Sequence, residues 1–388
     1  MVNKSAYSDL ELMQARIKSV PSGWVFSYVG NVFSIKNNLR KPISEEVRAK
    51  NVGLYPYFGP TKIQGYIGSY EQDGRYVLIG EDGDHFLKYE SQSMTQLVDG
   101  KCTVNNHAHI IEGTSKATRE WFYYYFMHRD IFSFLSRQGA GRYKLNKASL
   151  EKIPLIVPPI GEQKKIAQIL STWDQAITTT EQLLANSQQQ KKSLMQQLIT
   201  GKRRFPGFSG EWNEVYLGDI CQPRQWATIS SSDLIDNGYP VYGANGFIGY
   251  FTEFNHLLET VAVTCRGSTC GEVSLIPEKS YITGNSMCLD EIDTDKNHHI
   301  FIFYLLKYRG FNDVISGSAQ PQIVGNAIKK IKITVPELEE QNQIASVLTI
   351  ADQETETLKQ KLNHLKQEKK ALMQQLLTGR RRVKTEAA

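Results

Sequence analysis

One short segment has the residue types and spacing of a hydrolytic site. Residues 162–164 read Glu-Gln-Lys, the Glu-x-Lys pattern of many nucleases. Residues 340–342, which take the same place in the second half of the chain, read Glu-Gln-Asn and lack the lysine. We therefore favour a structural acid at a helix N-terminus, where a negative charge complements the helix dipole.

A second segment has the spacing of a metal-binding pair. Cys265 and Cys270 fall within the loose range of separations that zinc ligands show. Because no second pair of cysteines or histidines stands near them, we interpret them as buried thiols. The sequence therefore predicts no metal site.

The motifs of the main enzyme classes are absent from the sequence. There is no glycine-rich phosphate loop with its Gly-Lys-Ser/Thr ending, no His-Glu-x-x-His and no Gly-x-Ser-x-Gly. There is also no Asp-Pro-Pro-Tyr or Asn-Pro-Pro-Tyr of the amino-methyltransferases. We predict that this chain holds no catalytic residue.

The composition is that of a globular protein. With 388 residues, of which 40% are hydrophobic and 22% charged, two or three domains are expected at roughly 100–200 residues each. The net charge of +5 is mildly basic and compatible with nucleic acid. No apolar run approaches the roughly 20 residues that cross a bilayer, and the N-terminus has no signal-peptide pattern. Five cysteines, an odd number, favour a reducing cytoplasm over a disulfide framework.

An internal repeat spans the chain. Ile-Pro-Leu-Ile-Val-Pro at 153–158 aligns with Ile-Lys-Ile-Thr-Val-Pro at 331–336, and this alignment continues without a gap for about fifty residues. It ends on KKSLMQQLITG at 191–201 and KKALMQQLLTG at 369–379, each followed by three basic residues. Upstream segments correspond more loosely. Each half is therefore a variable globular part followed by a strongly repeated helical part.

The variable parts are predicted to mix helices and strands. Short β-branched or aromatic runs are broken by Gly, Asn and Asp, and Asn245-Gly246 between apolar residues predicts a hairpin. Residues 121–134 and 299–308 each predict a helix. A capping-box pattern predicts a short amphipathic helix over residues 1–21.

The repeated parts predict two long helices that pair. Residues 162–200 contain no Gly or Pro, and Gly201 is placed to end a helix about 58 Å long. Apolar residues alternate at spacings of four and three, which is the heptad seam of a coiled coil. Because a globular domain separates the two helices in sequence, an antiparallel pair is expected. The residues predicted to pair the helices are Ile166, Leu170, Trp173, Ile177, Leu184, Leu194, Leu198, Ile344, Leu348, Leu358, Leu362, Leu365, Leu372 and Leu376.

Polar residues interrupt this seam. Lys191 and Lys369 take equivalent places on it, and they either fix the pairing register or bury only their aliphatic stems. Ser187 opposite Leu365 would give complementary packing.

The chain resembles the specificity subunits of Type I restriction–modification systems over nearly its whole length. The resemblance rests on the tandem organisation and on Val-Pro-x-x-x-Glu-Gln-x-x-Ile-Ala-x-Ile/Val-Leu at 157–170 and 335–348. It also rests on Met-Gln-Gln-Leu-Ile/Leu-Thr-Gly at 195–201 and 373–379.

The resemblance implies an α+β fold. Two tandem, pseudo-symmetric target-recognition domains with mixed β-sheets would be separated by two long helices that form an antiparallel coiled coil. After the N-terminal helix, the expected parts are a first recognition domain (22–158), a first spacer helix (159–204), a second recognition domain (205–336), a second spacer helix (337–382) and a tail (383–388).

The resemblance also implies a function. The chain would read a bipartite, non-palindromic site on double-stranded DNA and direct adenine methylation and restriction by partners. These partners would be two methyltransferase subunits and restriction/translocase subunits, without a membrane. No cofactor is expected in this chain, since S-adenosylmethionine, ATP and Mg²⁺ are expected on the partners. Two alternatives stay open: a coiled-coil scaffold that does not read DNA, and the nuclease suggested by residues 162–164.

Base contacts are expected from Arg, Lys, Asn and Gln side chains, with further basic residues on phosphates. The polar, Gly-rich segments 136–142 and 316–322 are the best candidates. The basic triplets 202–204 and 380–382 are interpreted as solvated helix ends. Trp226 is either a stacking residue or part of the core. The candidates in the first domain are Lys36, Asn37, Arg40, Lys62, His107, Arg137, Gln138, Arg142 and Lys144, and those in the second are Arg224, Gln225, Trp226, Asn245, Arg266, Asn285, Gln320 and Gln322.

Overall fold

The computed structural model describes residues 12–13, 16–138, 142–317 and 319–384. They divide into two units. Residues 180–361 form the second unit, and the first combines the described residues up to Thr179 with those from Leu362 onward. The helix predicted over residues 1–21 falls mostly outside the described residues.

The first unit contains three β-sheets. The largest has the strand order β2-β8-β5-β7-β3-β4, with β3 and β7 parallel and the other neighbours antiparallel. The smaller sheets are β6-β10-β9 and β1-β11. The strands are β1 (Val25–Tyr28), β2 (Ser34–Ile35), β3 (Val52–Phe58), β4 (Ile63–Ile67), β5 (Gln72–Gly80), β6 (Asp82–Gly83), β7 (Thr95–Val104), β8 (Ala108–Glu112), β9 (Ser136–Gln138), β10 (Arg142–Lys144) and β11 (Pro154–Val157).

The helices that start in this unit are mostly short. They are α1 (Val29–Val32), α2 (Glu45–Lys50), α3 (Arg119–Met127), α4 (Lys147–Glu151) and the long α5 (Ile160–Ile199), with 3-10 turns at Asn37–Leu39, His85–Lys88 and Phe132–Phe134.

The second unit repeats this plan with fewer strands. Its sheets are β13-β19-β16-β17, β15-β14-β18 and β12-β20, and β14 and β18 run parallel. The strands are β12 (Asn213–Tyr216), β13 (Gln222–Gln225), β14 (Tyr239–Gly243), β15 (Gly246–Phe251), β16 (Thr260–Thr264), β17 (Val273–Ile276), β18 (Tyr281–Ile282), β19 (Ser286–Asp290) and β20 (Lys332–Val335). The helices are α6 (Leu217–Ile220), α7 (His299–Arg309), α8 (Gly325–Lys329) and the long α9 (Leu338–Leu376), with a 3-10 turn at Ser231–Asp233. The predicted α+β class is confirmed.

One predicted helix is shorter than expected. The helix expected over 121–134 ends at Met127, because a polar His-Arg-Asp stretch follows. The carboxylate of Asp130 then accepts a hydrogen bond from the Phe132 amide at 2.8 Å and starts a separate 3-10 turn. The helix expected over 299–308 is present as α7. The hairpin expected at Asn245-Gly246 joins β14 to β15.

Each unit buries the start of one long helix and the end of the other in a single core. In the first unit, Ile166 and Leu170 of α5 share a cluster with Met373 and Leu376 of α9. In the second, Ile344 and Leu348 of α9 share a cluster with Leu198 and Ile199 of α5. All fourteen residues predicted to pair the helices are buried or half-buried. Among the described residues, no helix has the length and apolar character needed to cross a membrane.

Both long helices end close to the glycine that the sequence pattern predicts as their end. Gly201 and Gly379 have φ of +65° and +71°, a backbone region that side chains with a Cβ rarely adopt. The amide of Arg203 then donates to the Gln197 carbonyl at 3.1 Å, and Arg381 repeats this bond. In both helices, this hydrogen bond closes the helix end and turns the chain at the glycine, just before the basic triplet.

A buried glutamine fixes the start of each long helix. The side-chain oxygen of Gln163 accepts from the Thr118 amide at 2.8 Å, and its amide nitrogen donates to the carbonyls of Lys116 and Pro158. Gln341 makes the equivalent three bonds in the second unit. Both side chains are fully buried. Each glutamine therefore joins its globular part to its helix through backbone groups that would otherwise lack partners.

The preceding glutamate joins the start of each long helix to the segment that follows the end of the other long helix. The buried Glu162 carboxylate accepts from the Trp24 indole at 3.2 Å and from Arg382, whose guanidinium also donates to the Ser22 carbonyl at 2.7 Å. We call this Glu–Trp–Arg contact the clasp. In the second unit, Glu340, Trp212 and Arg204 form the same clasp. Arg204 and Arg382 were interpreted as solvated ends, which is wrong, because each neutralises a buried carboxylate.

A second polar contact lies further along the helices. Asp174 of α5 accepts from Lys369 of α9 and, at 2.8 Å, from the hydroxyl of Tyr124. Asp352, Lys191 and Tyr304 repeat this triad in the second unit. Burial, together with the adjacent aspartate, raises the pKa of both tyrosines, so they stay protonated as donors. Of the two roles considered for Lys191 and Lys369, fixing the register fits these contacts.

These contacts define the helix pairing within each unit. Glu162 lies by Arg382 and Asp174 by Lys369, so the two helix segments run antiparallel. In the second unit Ser187 donates to Thr355 at 3.2 Å, and Thr355 donates to the Ala351 carbonyl. The expectation that Ser187 faces Leu365 is therefore wrong, since Leu365 lies about 15 Å further along α9. A buried hydroxyl takes the register that gives it a polar partner.

The triads predict a measurable loss of stability. Replacing Asp174 by Ala leaves the partly buried Lys369 ammonium and the Tyr124 hydroxyl without their acceptor, and should lower the free energy of unfolding by about 2 kcal/mol. Thermal or urea unfolding of the full chain measures this. The control is Glu356→Ala, which removes an exposed pair with Lys359 on α9 and should cost less than about 0.5 kcal/mol. Equal losses for the two variants would contradict the structural role of the triad.

Candidate nucleic-acid interface

In the first unit, three candidates share one exposed ribbon. Arg137 and Gln138 lie on β9, and Arg142 lies across from Gln138 on β10. All three side chains are exposed, and within the described residues they form no hydrogen bond or ion pair. The tip of this ribbon, residues 139–141, lies outside the described residues. Two guanidinium groups and an amide on this exposed hairpin of the three-stranded sheet β6-β10-β9 are suited to contacts with bases and phosphates.

Four further candidates in this unit are engaged within the protein. Arg40 and Lys144 both bind the carboxylate of Glu81, and Asn37 donates to His109, whose other ring nitrogen meets the Leu145 carbonyl at 2.6 Å. Burial raises the pKa of Glu81, but the bonds and charges of these cations outweigh burial and hold that pKa below its ordinary value. Lys36 pairs with Glu112 at 3.2 Å. These four side chains are therefore held by contacts within the protein.

The remaining two candidates of the first unit are exposed. The ring of His107 lies 2.8 Å from a carboxylate oxygen of Asp82. Asp82 lies on β6, the strand that pairs with β10. Lys62 lies in the turn between β3 and β4. His109, the buried ring that binds Asn37 and the Leu145 carbonyl, has its pKa lowered by burial, so this ring is neutral at neutral pH.

In the second unit, the structure brings five candidates around the backbone of Cys265. The Cys265 amide donates to the Asn285 carbonyl at 3.0 Å, and Gln225 donates to the Gly284 carbonyl at 2.7 Å. Arg266, the next residue, forms a β-bridge with Gln322. Asn245 accepts from Thr269, which lies on the loop that follows Arg266. The candidates that meet here, all with exposed side chains, are Gln225, Asn245, Arg266, Asn285 and Gln322.

Three candidates of the second unit lie apart from this group. The Trp226 indole donates to Asp290 at 3.0 Å and packs on the core cluster of Ile282 and Cys288, so Trp226 belongs to the core. Arg224 covers the Trp226 ring and binds Glu291 at 3.2 Å. Gln320 is exposed on the loop that returns to the bridge.

Apolar residues beside the polar candidates were not predicted. Phe247 and Ile248 follow the Asn245-Gly246 turn and are 51% and 44% exposed. Ile63 and Tyr66 take comparable places on the β3–β4 hairpin and are 38% and 53% exposed. The hairpin predicted from the sequence already indicated where Phe247 and Ile248 lie, but the prediction of DNA contacts considered polar side chains, together with Trp226. Such groups contact thymine methyls as well as proteins.

The Glu-x-Lys segment does not form a hydrolytic site. Both oxygens of the buried Glu162 carboxylate are taken by Arg382 and Trp24, whereas Lys164 is exposed. A hydrolytic metal needs an accessible carboxylate. The nuclease alternative therefore does not fit this geometry.

Comparison with known proteins gives consistent results. The family model described as the Type I restriction modification DNA specificity domain matches residues 21–186 and 209–367. A putative type I restriction enzyme specificity subunit of Haemophilus influenzae is 28% identical over 82% of this chain and 84% of its own length. The putative MjaX specificity subunit of Methanocaldococcus jannaschii is 23% identical over 98% of both chains.

A solved structure supports the fold. The Type I restriction–modification S subunit from M. genitalium superposes with a TM-score of 0.72 at 17% identity, covering 93% of this chain and 97% of that one. Since the family model matches the chain twice and covers most of it, this chain belongs to the family of Type I restriction–modification DNA specificity proteins.

Proposed function

We propose that this chain recognises a bipartite, non-palindromic DNA site within a Type I restriction–modification complex in the cytoplasm. The observation that carries this proposal is a contrast between the two units. Both have the same clasp, glutamine and triad, but their exposed polar sets differ. Two units with the same internal contacts but different exposed polar side chains suit a protein that recognises two different half-sites.

The chain itself performs no catalysis in this proposal. The one segment with a hydrolytic pattern, residues 162–164, does not serve as a site in this proposal, because Glu162 belongs to the clasp. Adenine methylation would occur on methyltransferase subunits that bind S-adenosylmethionine, and cleavage on restriction subunits that use ATP and Mg²⁺. The two repeated helix starts offer two similar docking surfaces, so we propose two methyltransferase subunits per chain.

A scaffold that does not read DNA is the alternative. The helix contacts alone would suit it equally well. The exposed side chains of Arg137, Gln138 and Arg142 on the β9–β10 hairpin favour DNA reading, because a scaffold has no need for solvent-facing guanidinium and amide groups there.

The first prediction from this proposal concerns the reading residues. The double variant Arg137→Ala, Arg142→Ala should relax or abolish recognition of one half-site, and Arg266→Ala, Asn285→Ala should affect the other half-site only. A lost bidentate contact removes about 1–3 kcal/mol of discrimination. The measurement is the genome-wide map of methylated adenines when each variant is expressed with its methyltransferase partner.

Lys147→Ala and Lys296→Ala are matched controls, because each removes an exposed lysine in a local ion pair. Both controls should leave the methylated motif unchanged. If one unit's variant changed both half-sites, or if neither double variant changed the motif, the assignment of one half-site to each unit would be wrong.

The second prediction concerns the gap between half-sites. As many residues separate Asp174 from Lys191 on α5 as separate Asp352 from Lys369 on α9. Both triads therefore form together only if the two helices keep equal length. Deleting residues 178–184 and 356–362 together removes one heptad from each helix, about 10 Å, and preserves the seam. We expect the same half-site bases with a gap shorter by about three base pairs.

Deleting 178–184 alone is the control, and it should abolish assembly, since one triad then loses its register. The methylation map reports both outcomes. A paired deletion that altered the bases read, or a single deletion that left the motif intact, would contradict the role of the helices as a spacer.

A further inference from the structure

A histidine, a cysteine and an aspartate meet in the second unit, away from the exposed readers. Nε2 of His256, Sγ of Cys288 and a carboxylate oxygen of Asp290 all lie within 4.8 Å of one another. Cys288 and Asp290 are two residues apart on β19, so both side chains point to the same face of the sheet. His256 is brought there by its β-bridge to Ser280.

The three side chains of this cluster are largely buried. Cys288 is fully buried, and the side chains of His256 and Asp290 are 8% and 9% exposed. Ile276, Ile282 and Trp226 pack around it. A negative charge in such surroundings requires compensation. Nε of Arg224, a half-exposed side chain, lies 4.0 Å from a carboxylate oxygen of Asp290, at the outer limit of an ion pair.

The hydrogen bonds around His256 fix the position of its proton. Asn255 binds the backbone of Ile282 at two points: its oxygen accepts from the Ile282 amide at 2.8 Å, and its nitrogen donates to the Ile282 carbonyl at 3.0 Å. That orientation sets the Asn255 oxygen 2.6 Å from Nδ1 of His256, so Nδ1 must donate. The neutral ring then has its proton on Nδ1 and a lone pair on Nε2.

This lone pair faces an acceptor. Nε2 of His256 lies 3.0 Å from Oδ1 of Asp290, whose other oxygen already accepts from Trp226. Two acceptors at hydrogen-bond distance require a proton on one of them, either on Nε2 or on the Asp290 carboxyl, or a cation between them. The imidazolium satisfies this pair but gives no role to the third member of the cluster.

The thiol of Cys288 distinguishes the two cases. The thiols of Cys102, Cys221 and Cys265 each donate to an oxygen acceptor. The thiol of Cys288 makes no hydrogen bond among the described residues; that of Cys270 makes none either, but Cys270 is half-buried whereas Cys288 is fully buried. The sulfur of Cys288 lies within 4.8 Å of an Asp290 oxygen and of a ring nitrogen of His256.

We propose that His256, Cys288 and Asp290 bind one transition-metal ion of the Zn²⁺ class, as a structural site in the second unit. Imidazole, thiolate and carboxylate are the three donor types that Zn²⁺ takes, with bonds of about 2.0–2.3 Å. Such bonds place ligand atoms roughly 3.3–3.8 Å apart, within the range spanned by this cluster. Solvent completes the tetrahedron. Binding displaces the proton of the thiol to solvent, and the ion's charge compensates both anions.

The site differs from the one weighed from sequence. Cys265 and Cys270 had the spacing of a metal pair, whereas these ligands come from a loop and from β19, 32 residues away, with no motif to announce them. The ion would hold Asp290 and, through it, Trp226, which follows the candidate reader Gln225. The inference does not depend on the proposed DNA function.

Cobalt substitution tests the site directly. The purified full chain, treated with a chelator and then titrated with Co²⁺, should bind one equivalent and develop a thiolate-to-cobalt charge-transfer band. The variant Cys288→Ala should lose that band, and His256→Gln should weaken Co²⁺ binding by more than about tenfold. Cys102→Ala, which removes a buried thiol in the first unit, is the control and should bind like the wild type.

A second measurement guards against misfolding of the variants. Zn²⁺ should raise the melting temperature of the wild-type chain and of Cys102→Ala, because an ion that binds the folded state stabilises it. Absence of a charge-transfer band in the wild type, or an undiminished band in Cys288→Ala, would overturn the proposal and leave the imidazolium–carboxylate pair as the description of this cluster.

Discussion

A buried glutamate at the start of each long helix is the constraint on which the rest of the structure depends. Glu162 and Glu340 lie in the cores of their units, where an unpaired carboxylate would be strongly destabilising. Each is neutralised by an arginine from just beyond the end of the other long helix, Arg382 or Arg204, and steadied by a tryptophan. The partner of Glu162, Arg382, lies 220 residues further along the chain.

This constraint connects packing with the proposed function. The clasp sets where each helix begins relative to the end of its partner, and the triad of Tyr124, Asp174 and Lys369 repeats that setting further along. The second unit has the same two contacts. Each unit therefore fixes the register of the helix segments that it contains. The exposed polar side chains that we propose as DNA contacts can differ between the units, because no contact of the clasp or the triad depends on them.

The sequence predicted the elements that local patterns encode. The internal repeat, the two long helices, the glycines that end them and the heptad seam are all visible as spacing. The pairing register was not, because it is set by polar contacts between residues far apart in sequence, such as Ser187 with Thr355 and Asp174 with Lys369. The same reason explains why residues such as Arg40 and Trp226, which were predicted to contact DNA, are engaged inside the protein. An arginine's type shows what it can bind, but only the fold shows what lies beside it.

The central claim is that Arg382 is needed because Glu162 is buried and charged. It is tested most directly by measuring the melting temperatures of Glu162→Gln, Arg382→Ala and the double variant of the full chain. In the wild-type background, Glu162→Gln should lower the melting temperature, since it weakens the bonds to the guanidinium. In the Arg382→Ala background, the same substitution should raise it, because it removes an uncompensated buried charge while keeping an acceptor for Trp24. An effect of Glu162→Gln that is the same in both backgrounds would contradict this account.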